Sequence, residues 1–144
     1  MASLRLRFRE TMRGRLRTTG PRPANLPFHF QVAVTAPSAK DWILGKPLPM
    51  EGTVFLKGFA KEAPLAGTLR IGLPLSRTLD YSFSFQGNGS LYRFFGQKIV
   101  YGRRFFSTMT TLRGRLFRDG EPAGDAVLHF RWRDLPAFLW SFAF

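Results

Sequence analysis

The chain has 144 residues, and its 22 Lys and Arg against 9 Asp and Glu give it a formal net charge of +13. The absence of cysteine excludes disulfides, thiolate metal sites and cysteine nucleophiles. The length predicts a single domain, 1–144, with a core of its own, and without a secretory signal or any run near the ~18 apolar residues of a membrane span we expect a soluble, cytoplasmic protein.

The first predicted element is a strand at residues 4–17, in which apolar side chains alternate with arginines. Because successive side chains of a strand point to opposite faces, one face is apolar and the other is basic. Only Glu10, between Phe8 and Met12, breaks the alternation, since it places a carboxylate on the apolar face. Such a carboxylate has a high desolvation cost unless it is paired or protonated. Glu10 is therefore the most informative single residue of the sequence.

The next part of the chain predicts a loop, a strand and a short helix. Residues 18–27 contain three prolines and a glycine, which disfavour regular structure. Residues 28–34 alternate as a second strand, with Phe30 inward and His29 outward. A serine that can act as an N-cap and a following glycine predict a short helix at 39–44.

Six further strands and a C-terminal helix are predicted from the remaining residues. The loop Gln86-Gly87-Asn88-Gly89-Ser90 predicts a hairpin, Asp119-Gly120 begins the turn into the last strand, and a polar turn is predicted at 60–63. Asp134 can cap a helix at about 135–143. The six strands are predicted at 50–59, 64–73, 79–85, 91–101, 107–117 and 125–133.

Eight sequential strands with hairpin-length connections predict an all-β fold. The arrangement expected is an eight-stranded antiparallel up-and-down barrel of lipocalin or calycin type, with the two short helices at 39–44 and 135–143 added to it. Closing the sheet removes its exposed edges. A barrel of eight strands is either filled by side chains or holds one small ligand, so a binding function is compatible with this fold.

Several short motifs, in order along the chain, resemble those of a known module. They are Phe8-Arg9-Glu10-Thr11-Met12-Arg13-Gly14, Phe28-His29-Phe30, Met50-Glu51-Gly52-Thr53-Val54, Gly96-Gln97-Lys98 and Thr110-Thr111-Leu112. This pattern resembles a small β-barrel accessory module that lies beside cholesterol-oxidase-like flavoenzymes of the glucose-methanol-choline oxidoreductase family in bacterial multidomain proteins.

The resemblance implies a role near lipid- or steroid-like molecules and an oxidoreductase as partner. It implies no reaction, because the catalytic residues of the flavoenzyme lie outside the module. The chain departs from the module at Tyr101-Gly102-Arg103-Arg104, where acidic residues are usual, and its 144 residues include no flavin-binding domain.

The sixth predicted strand supplies a partner for Glu10. If Tyr92 and Phe94 face inward, parity also turns Lys98 inward, and the two charged groups become natural partners inside the barrel. Such a pair can fix the strand register, anchor the head group of a ligand, or provide a general acid/base in an isomerase- or cyclase-like barrel that uses Glu10.

The function that we expect first is non-enzymatic binding of an apolar or amphipathic small molecule, without cofactor or metal. The aromatic side chains that face inward supply the apolar lining of such a site, and the charged pair supplies its polar anchors. The predicted ligand-binding residues are Phe8, Glu10, Met12, Phe30, Phe83, Lys98 and Phe130.

The basic face supports an alternative function, binding of an anionic surface such as nucleic acid or an anionic membrane. A sequence pI near 11.5 favours contact with polyanions, and the bias toward arginine is also compatible with heat tolerance. Because aromatic side chains and arginines are expected on opposite faces, the arginines have no stacking platform, and nucleic-acid binding is expected to be unspecific. The predicted contact residues are Arg5, Arg7, Arg9, Arg13, Arg15, Arg113 and Arg115.

Overall fold

A computed structural model describes residues 6–36, 46–71, 78–99 and 111–130. Eight antiparallel strands pair in chain order, and the last one pairs with the first to close the barrel. The predicted all-β up-and-down barrel is thereby confirmed. The strands are β1 Leu6–Thr18, β2 Asn25–Ala36, β3 Leu48–Leu56, β4 Ala60–Ile71, β5 Thr78–Gly87, β6 Ser90–Ile99, β7 Thr111–Arg118 and β8 Glu121–Phe130.

The short connections all lie at one end of the barrel, which we call the turn end. They join β1 to β2 at 19–24, β3 to β4 at 57–59, β5 to β6 at 88–89 and β7 to β8 at 119–120. The two predicted helices, at 39–44 and 135–143, lie outside the described residues. Within the described ranges, no helix has the length and apolar character that a membrane crossing requires.

Both predicted hairpins are confirmed, but their two-residue turns are shorter than the predicted loops. Asn88 and Gly89 have φ angles of 48° and 76°, and Asp119 and Gly120 have φ angles of 49° and 86°. Two successive left-handed residues are the signature of the type I′ turn, whose twist matches that of the strands it joins. Asn-Gly and Asp-Gly adopt this conformation at low cost, which explains why the sequence signal was reliable here.

The turn between β3 and β4 lies at 57–59, so the prediction of a turn at 60–63 was wrong. Gly58 has a φ of 85° in this turn, a conformation that glycine adopts without a steric penalty. The polar stretch that suggested a turn instead begins β4, where the register against β3 shifts and Glu62 has a φ of 49°. The polar residues at 60–63 thus form the irregular start of β4, whereas the turn lies at Gly58, where a positive φ angle is needed.

The interior is filled in its middle by aromatic side chains, which we call the aromatic core. Neighbouring ring centroids lie 5.0–6.4 Å apart, in tilted and edge-to-face contacts and, between Phe85 and Tyr92, in a stacked one. Each ring is at most 3% exposed, so this layer is as closed as the centre of an ordinary hydrophobic core. The aromatic core consists of Phe28, Phe30, Tyr81, Phe83, Phe85, Tyr92 and Phe94.

Two glycines on neighbouring strands make room for one ring of this core. A Cβ atom on Gly96 of β6 would lie 2.7 Å from the Phe94 ring, and one on Gly114 of β7 would lie 2.5 Å from it. These residues are directly paired across the two strands. Any larger side chain at either position would displace the ring, so the glycines are required by packing.

Candidate functional site

A buried polar cluster of Glu10, Tyr81 and Lys98 lies among the apolar side chains of the interior. The Lys98 ammonium forms an ion pair with Glu10 Oε1. The Tyr81 hydroxyl donates to the same carboxylate, at 3.0 Å from Oε1 and 2.8 Å from Oε2. The three residues are 1–2% exposed. The pairing of Glu10 with Lys98 that strand parity predicted is therefore confirmed.

Three strands position this cluster across the width of the barrel. Glu10 lies on β1, whereas Tyr81 and Lys98 lie on the paired strands β5 and β6. Along β5 the inward residues Tyr81, Phe83 and Phe85 succeed one another toward the turn end. The cluster thus lies on the side of the aromatic core that faces away from the turn end.

The charges of the cluster compensate one another. Burial and the Glu10 carboxylate raise the pKa of Tyr81 well above its ordinary value of 10.0, so the phenol stays protonated and neutral and donates a hydrogen bond to the carboxylate. The Lys98 ammonium also lies 5.1 Å from the centroid of the Tyr81 ring, within the range of a cation–π contact. A buried carboxylate with these partners can hold a strand register or meet a polar ligand group.

Tyr81→Phe is expected to reduce the loss of stability at alkaline pH. The unfolded chain releases the phenolic proton near pH 10 and the folded chain does so only at higher pH, so stability falls from about pH 10 upward, by about 1.4 kcal/mol per pH unit, until the folded-state pKa is passed. Below this range, the variant is expected to be less stable by about 1.5–3 kcal/mol, since it lacks a hydrogen bond to a charged group. Urea unfolding of both proteins from about pH 8 to about pH 11.5 measures the two slopes. Parallel stability curves would contradict the expectation.

Three of the predicted ligand-lining residues belong to the packed interior. Met12, Phe30 and Phe83 are at most 3% exposed, and the Phe30 and Phe83 rings meet edge-on at 5.0 Å. The side chains of Phe8 and Phe130 lie outside the described part of the structure, although their backbones pair with Val34 and Met12, respectively. The ligand-binding role of this set stays a prediction.

A pocket of about 530 Å³ opens at the turn end, which we call the turn-end pocket. Its volume is typical of small-molecule sites, and its wall is mainly apolar with a polar rim. Tyr92 closes it toward the aromatic core, where its ring stacks on Phe85 at 5.1 Å. The lining residues are Leu16, Thr18, Thr19, Leu26, Leu56, Phe59, Tyr92, Leu116, Arg118, Asp119, Glu121, Pro122 and Ala123.

The Tyr92 hydroxyl is a buried polar atom without a hydrogen-bond partner among the described residues. An unsatisfied hydroxyl costs about 1–3 kcal/mol, and few of them occur in folded proteins. Burial raises the pKa of Tyr92 above 10.0, so the group is a neutral donor. A donor of this kind in the wall of an apolar pocket can orient a ligand that carries one oxygen acceptor.

Hydrogen bonds between neighbouring turns hold the rim of the pocket. Asn88 Nδ2 donates to the Gly58 carbonyl at 2.8 Å, and the backbone N–H of Leu91 donates to Asp119 Oδ1 at 2.9 Å. On the opposite side, the Thr19 backbone N–H donates to the carbonyl of Ala123 at 3.0 Å. The rim is thus formed before any ligand arrives, which limits the ordering cost of binding.

Sequence reasoning did not find the turn-end pocket or the contribution of Tyr81 to the polar cluster. Alternation along β5 and β6 turns Tyr81 and Tyr92 inward, but their partners lie on strands that are distant in sequence. The register of every strand pair is needed before either neighbourhood can be derived.

The outer face of the barrel carries the predicted arginines that the structure describes. Arg9, Arg13, Arg15, Arg113 and Arg115 are all exposed. Arg5 and the side chain of Arg7 lie outside the described residues. His29 faces outward, as predicted, and its ring stacks on Phe55 at 4.8 Å. His129 is exposed on β8.

The expectation that aromatic side chains and arginines lie on opposite faces was wrong at Phe95. Phe95 is 47% exposed on the same outer face as Arg93 and Arg115. The cause is the adjacent pair Phe94-Phe95, because two-residue alternation must send one of two neighbouring rings outward.

Comparisons with protein-family models, with curated proteins and with solved structures found no match for this chain. The resemblance to an oxidoreductase-associated module therefore stays a prediction. Within the described residues, no group of three or more His, Asp or Glu side chains is arranged to hold a metal ion.

Proposed function

We propose that the protein binds an apolar or amphipathic small molecule, of lipid or steroid type, in the turn-end pocket. The observation that carries the proposal is the buried, unpartnered hydroxyl of Tyr92, a residue that lines a mainly apolar pocket of about 530 Å³. A hydrocarbon body would cover the leucines and the Phe59 ring, and one hydroxyl or carbonyl oxygen would accept the hydrogen bond from Tyr92.

The rim favours a neutral polar group over a charged one. Arg118 is close to Asp119 and Glu121, and the guanidinium Nε already donates to Ser90 Oγ at 3.0 Å. Because charges of both signs line the opening, neither an anion nor a cation is strongly selected. Sterols and fatty alcohols therefore fit this site better than fatty acids. An accessory role beside an oxidoreductase that acts on such molecules is the wider setting of this proposal.

Ala123→Trp is expected to weaken the binding of diphenylhexatriene, a hydrocarbon probe that fluoresces in apolar sites, by at least about tenfold, or about 1.4 kcal/mol. Ala123 is partly buried in the pocket wall, so the indole would occupy the volume of the ligand. The measurement is a fluorescence titration, with Ala66→Trp on the exposed face of β4 as the matched control. Equal affinities of the two variants, or no binding by the wild-type protein, would refute the site.

Tyr92→Phe tests the polar contact in the same assay. This variant should bind diphenylhexatriene as the wild type does, whereas displacement of the probe by a sterol or a fatty alcohol should need about 2- to 10-fold more ligand, the equivalent of one net hydrogen bond. Unchanged displacement would show that the hydroxyl does not meet the ligand.

A further inference from the structure

We infer that the outer surface of β1, β8, β7 and β6 binds single-stranded nucleic acid, with arginines on the phosphates and a base stacked on Phe95. These strands are consecutive neighbours in the closed sheet, so their outward side chains form one continuous surface. We call it the basic face. Its members are Arg13, Arg15, Arg17, Arg93, Arg113, Arg115, Phe95 and Phe117.

The basic face carries a local excess of positive charge. Its six arginines are exposed, and the carboxylates on the same four strands that face outward are Asp125 and Glu121. Asp125 accepts a hydrogen bond from Arg115 Nε at 3.0 Å, while Glu121 lies at the turn end. A surface with this balance attracts a polyanion and binds its phosphates by releasing their counterions.

The opposite side of the barrel does not share this excess. The outward positions of β3, of β4 and of the start of β5 include acidic as well as basic residues, and Arg70 is the direct cross-strand partner of Asp80. Among the strands of the described part of the barrel, the excess of positive charge therefore lies on the β1, β8, β7 and β6 side rather than on β3, β4 and the start of β5. A polyanion is therefore expected to bind on the basic face. Substitutions of lysines on the opposite side can serve as a charge-matched control.

Phe95 is the feature by which the basic face would distinguish single-stranded nucleic acid from other polyanions. Its ring is 47% exposed and is held edge-to-face by Phe117 at 5.8 Å between centroids. The register places Phe95 opposite Arg115, and Phe117 opposite Arg93. A fixed, exposed ring between guanidinium groups is the arrangement that stacks a base while its phosphates are neutralised.

The surroundings of Phe95 favour a nucleic acid over a lipid surface. Its outward neighbours along β6 are Arg93 and Gln97, and its cross-strand partners are Ser82 and Arg115. Apart from Phe117, these neighbours are polar, so the apolar surface at Phe95 is limited to two rings, although Leu91 and Ile99 are exposed farther along β6 and Val127 is exposed on β8. Such a small apolar area is a weak anchor in a bilayer. A stacked base, in contrast, has polar edges and a charged backbone that these neighbours can contact.

The test is fluorescence anisotropy with a labelled oligothymidylate of about 12 nucleotides, together with the corresponding duplex. Phe95→Ala should weaken single-strand binding at least about fivefold and leave duplex binding within about twofold, and Phe95→Trp should restore the affinity. The double variant Arg93→Gln/Arg113→Gln should bind both probes more weakly and reduce the salt slope for the single strand by about 1.4. The matched control is Lys57→Gln/Lys61→Gln, which removes the same charge from an exposed region away from the basic face.

Several results would overturn the inference. One is single-strand affinity that Phe95→Ala leaves unchanged, and another is an equal effect of the two double variants, which would mean that only total charge matters. Loss of binding to anionic phosphatidylglycerol vesicles in Phe95→Ala, with oligothymidylate binding intact, would assign the face to membranes instead. Diphenylhexatriene titration of the same variants reports on the turn-end pocket separately, so that failure of one site is not mistaken for failure of the other.

Discussion

Replacing Lys98 with methionine is expected to lower the free energy of unfolding by about 3–5 kcal/mol. The change leaves the Glu10 carboxylate buried without its cationic partner, and only the Tyr81 hydroxyl remains to solvate it among the residues that we describe. Methionine has about the volume of the lysine stem, so the packing of the hydrocarbon part is retained. The loss therefore comes from an uncompensated charge rather than from a cavity.

The double variant Glu10→Met/Lys98→Met is expected to regain most of this stability, to within about 1 kcal/mol of the wild type or above it. Removal of both charges removes their desolvation cost as well as their attraction. Lys57→Met at the exposed β3–β4 turn is the matched control, with an expected change within about 0.5 kcal/mol. Urea unfolding with linear extrapolation measures all four proteins. A Lys98→Met variant as stable as this control would mean that the two groups are not paired in the folded protein.

The double variant, together with Glu10→Gln, separates the three roles that are open for Glu10. If the pair only fixes the strand register, the refolded double variant keeps its affinity for sterols and fatty alcohols. If the pair anchors a head group, that affinity falls although diphenylhexatriene still enters the turn-end pocket. A general acid/base role requires a turnover that Glu10→Gln abolishes without unfolding the protein.

The barrel and its charged pair were predictable because both depend on local alternation. The ten residues of β6 alternate strictly between buried and exposed, so one inward aromatic residue was enough to place Lys98 inward. The same rule placed Glu10 on the inner face of β1. Because two buried charges of opposite sign in one interior are expected to pair, the Glu10–Lys98 ion pair could be predicted.

The turn-end pocket and the basic face were not predictable in the same way. The pocket joins residues from both ends of the chain, such as Leu16 and Ala123, which come together only through the pairing of β1 with β8. The exposed Phe95 follows from parity, but its position between arginines depends on the register of β6 with β7. Alternation fixes the face of a residue, whereas register fixes its neighbours.

Phe94→Ala is expected to cost about 3–5 kcal/mol, whereas the same substitution at the next residue, Phe95→Ala, is expected to cost less than about 1 kcal/mol. Phe94 is fully buried, and its ring lies against the backbone of Gly96 and Gly114 as well as against the rings of Phe28 and Phe83. Phe95 keeps one edge contact with an outward ring. The two variants thus remove the same phenyl group from opposite faces of β6, so the difference in stability reports the effect of burial.

The cavity left by Phe94→Ala decides whether this part of the barrel is a packed core or a site for a guest molecule. The two glycines cannot extend into the vacated space, and the neighbouring rings are held by one another, so an apolar void should remain. Benzene should then raise the thermal unfolding midpoint of Phe94→Ala and leave those of the wild type and Phe95→Ala unchanged. If benzene stabilises the wild type to the same extent, the interior already contains a vacant apolar site, and ligand binding would have to be assigned to the aromatic core instead of the turn end. Equal stability losses in the two variants would contradict the alternation on which the fold rests.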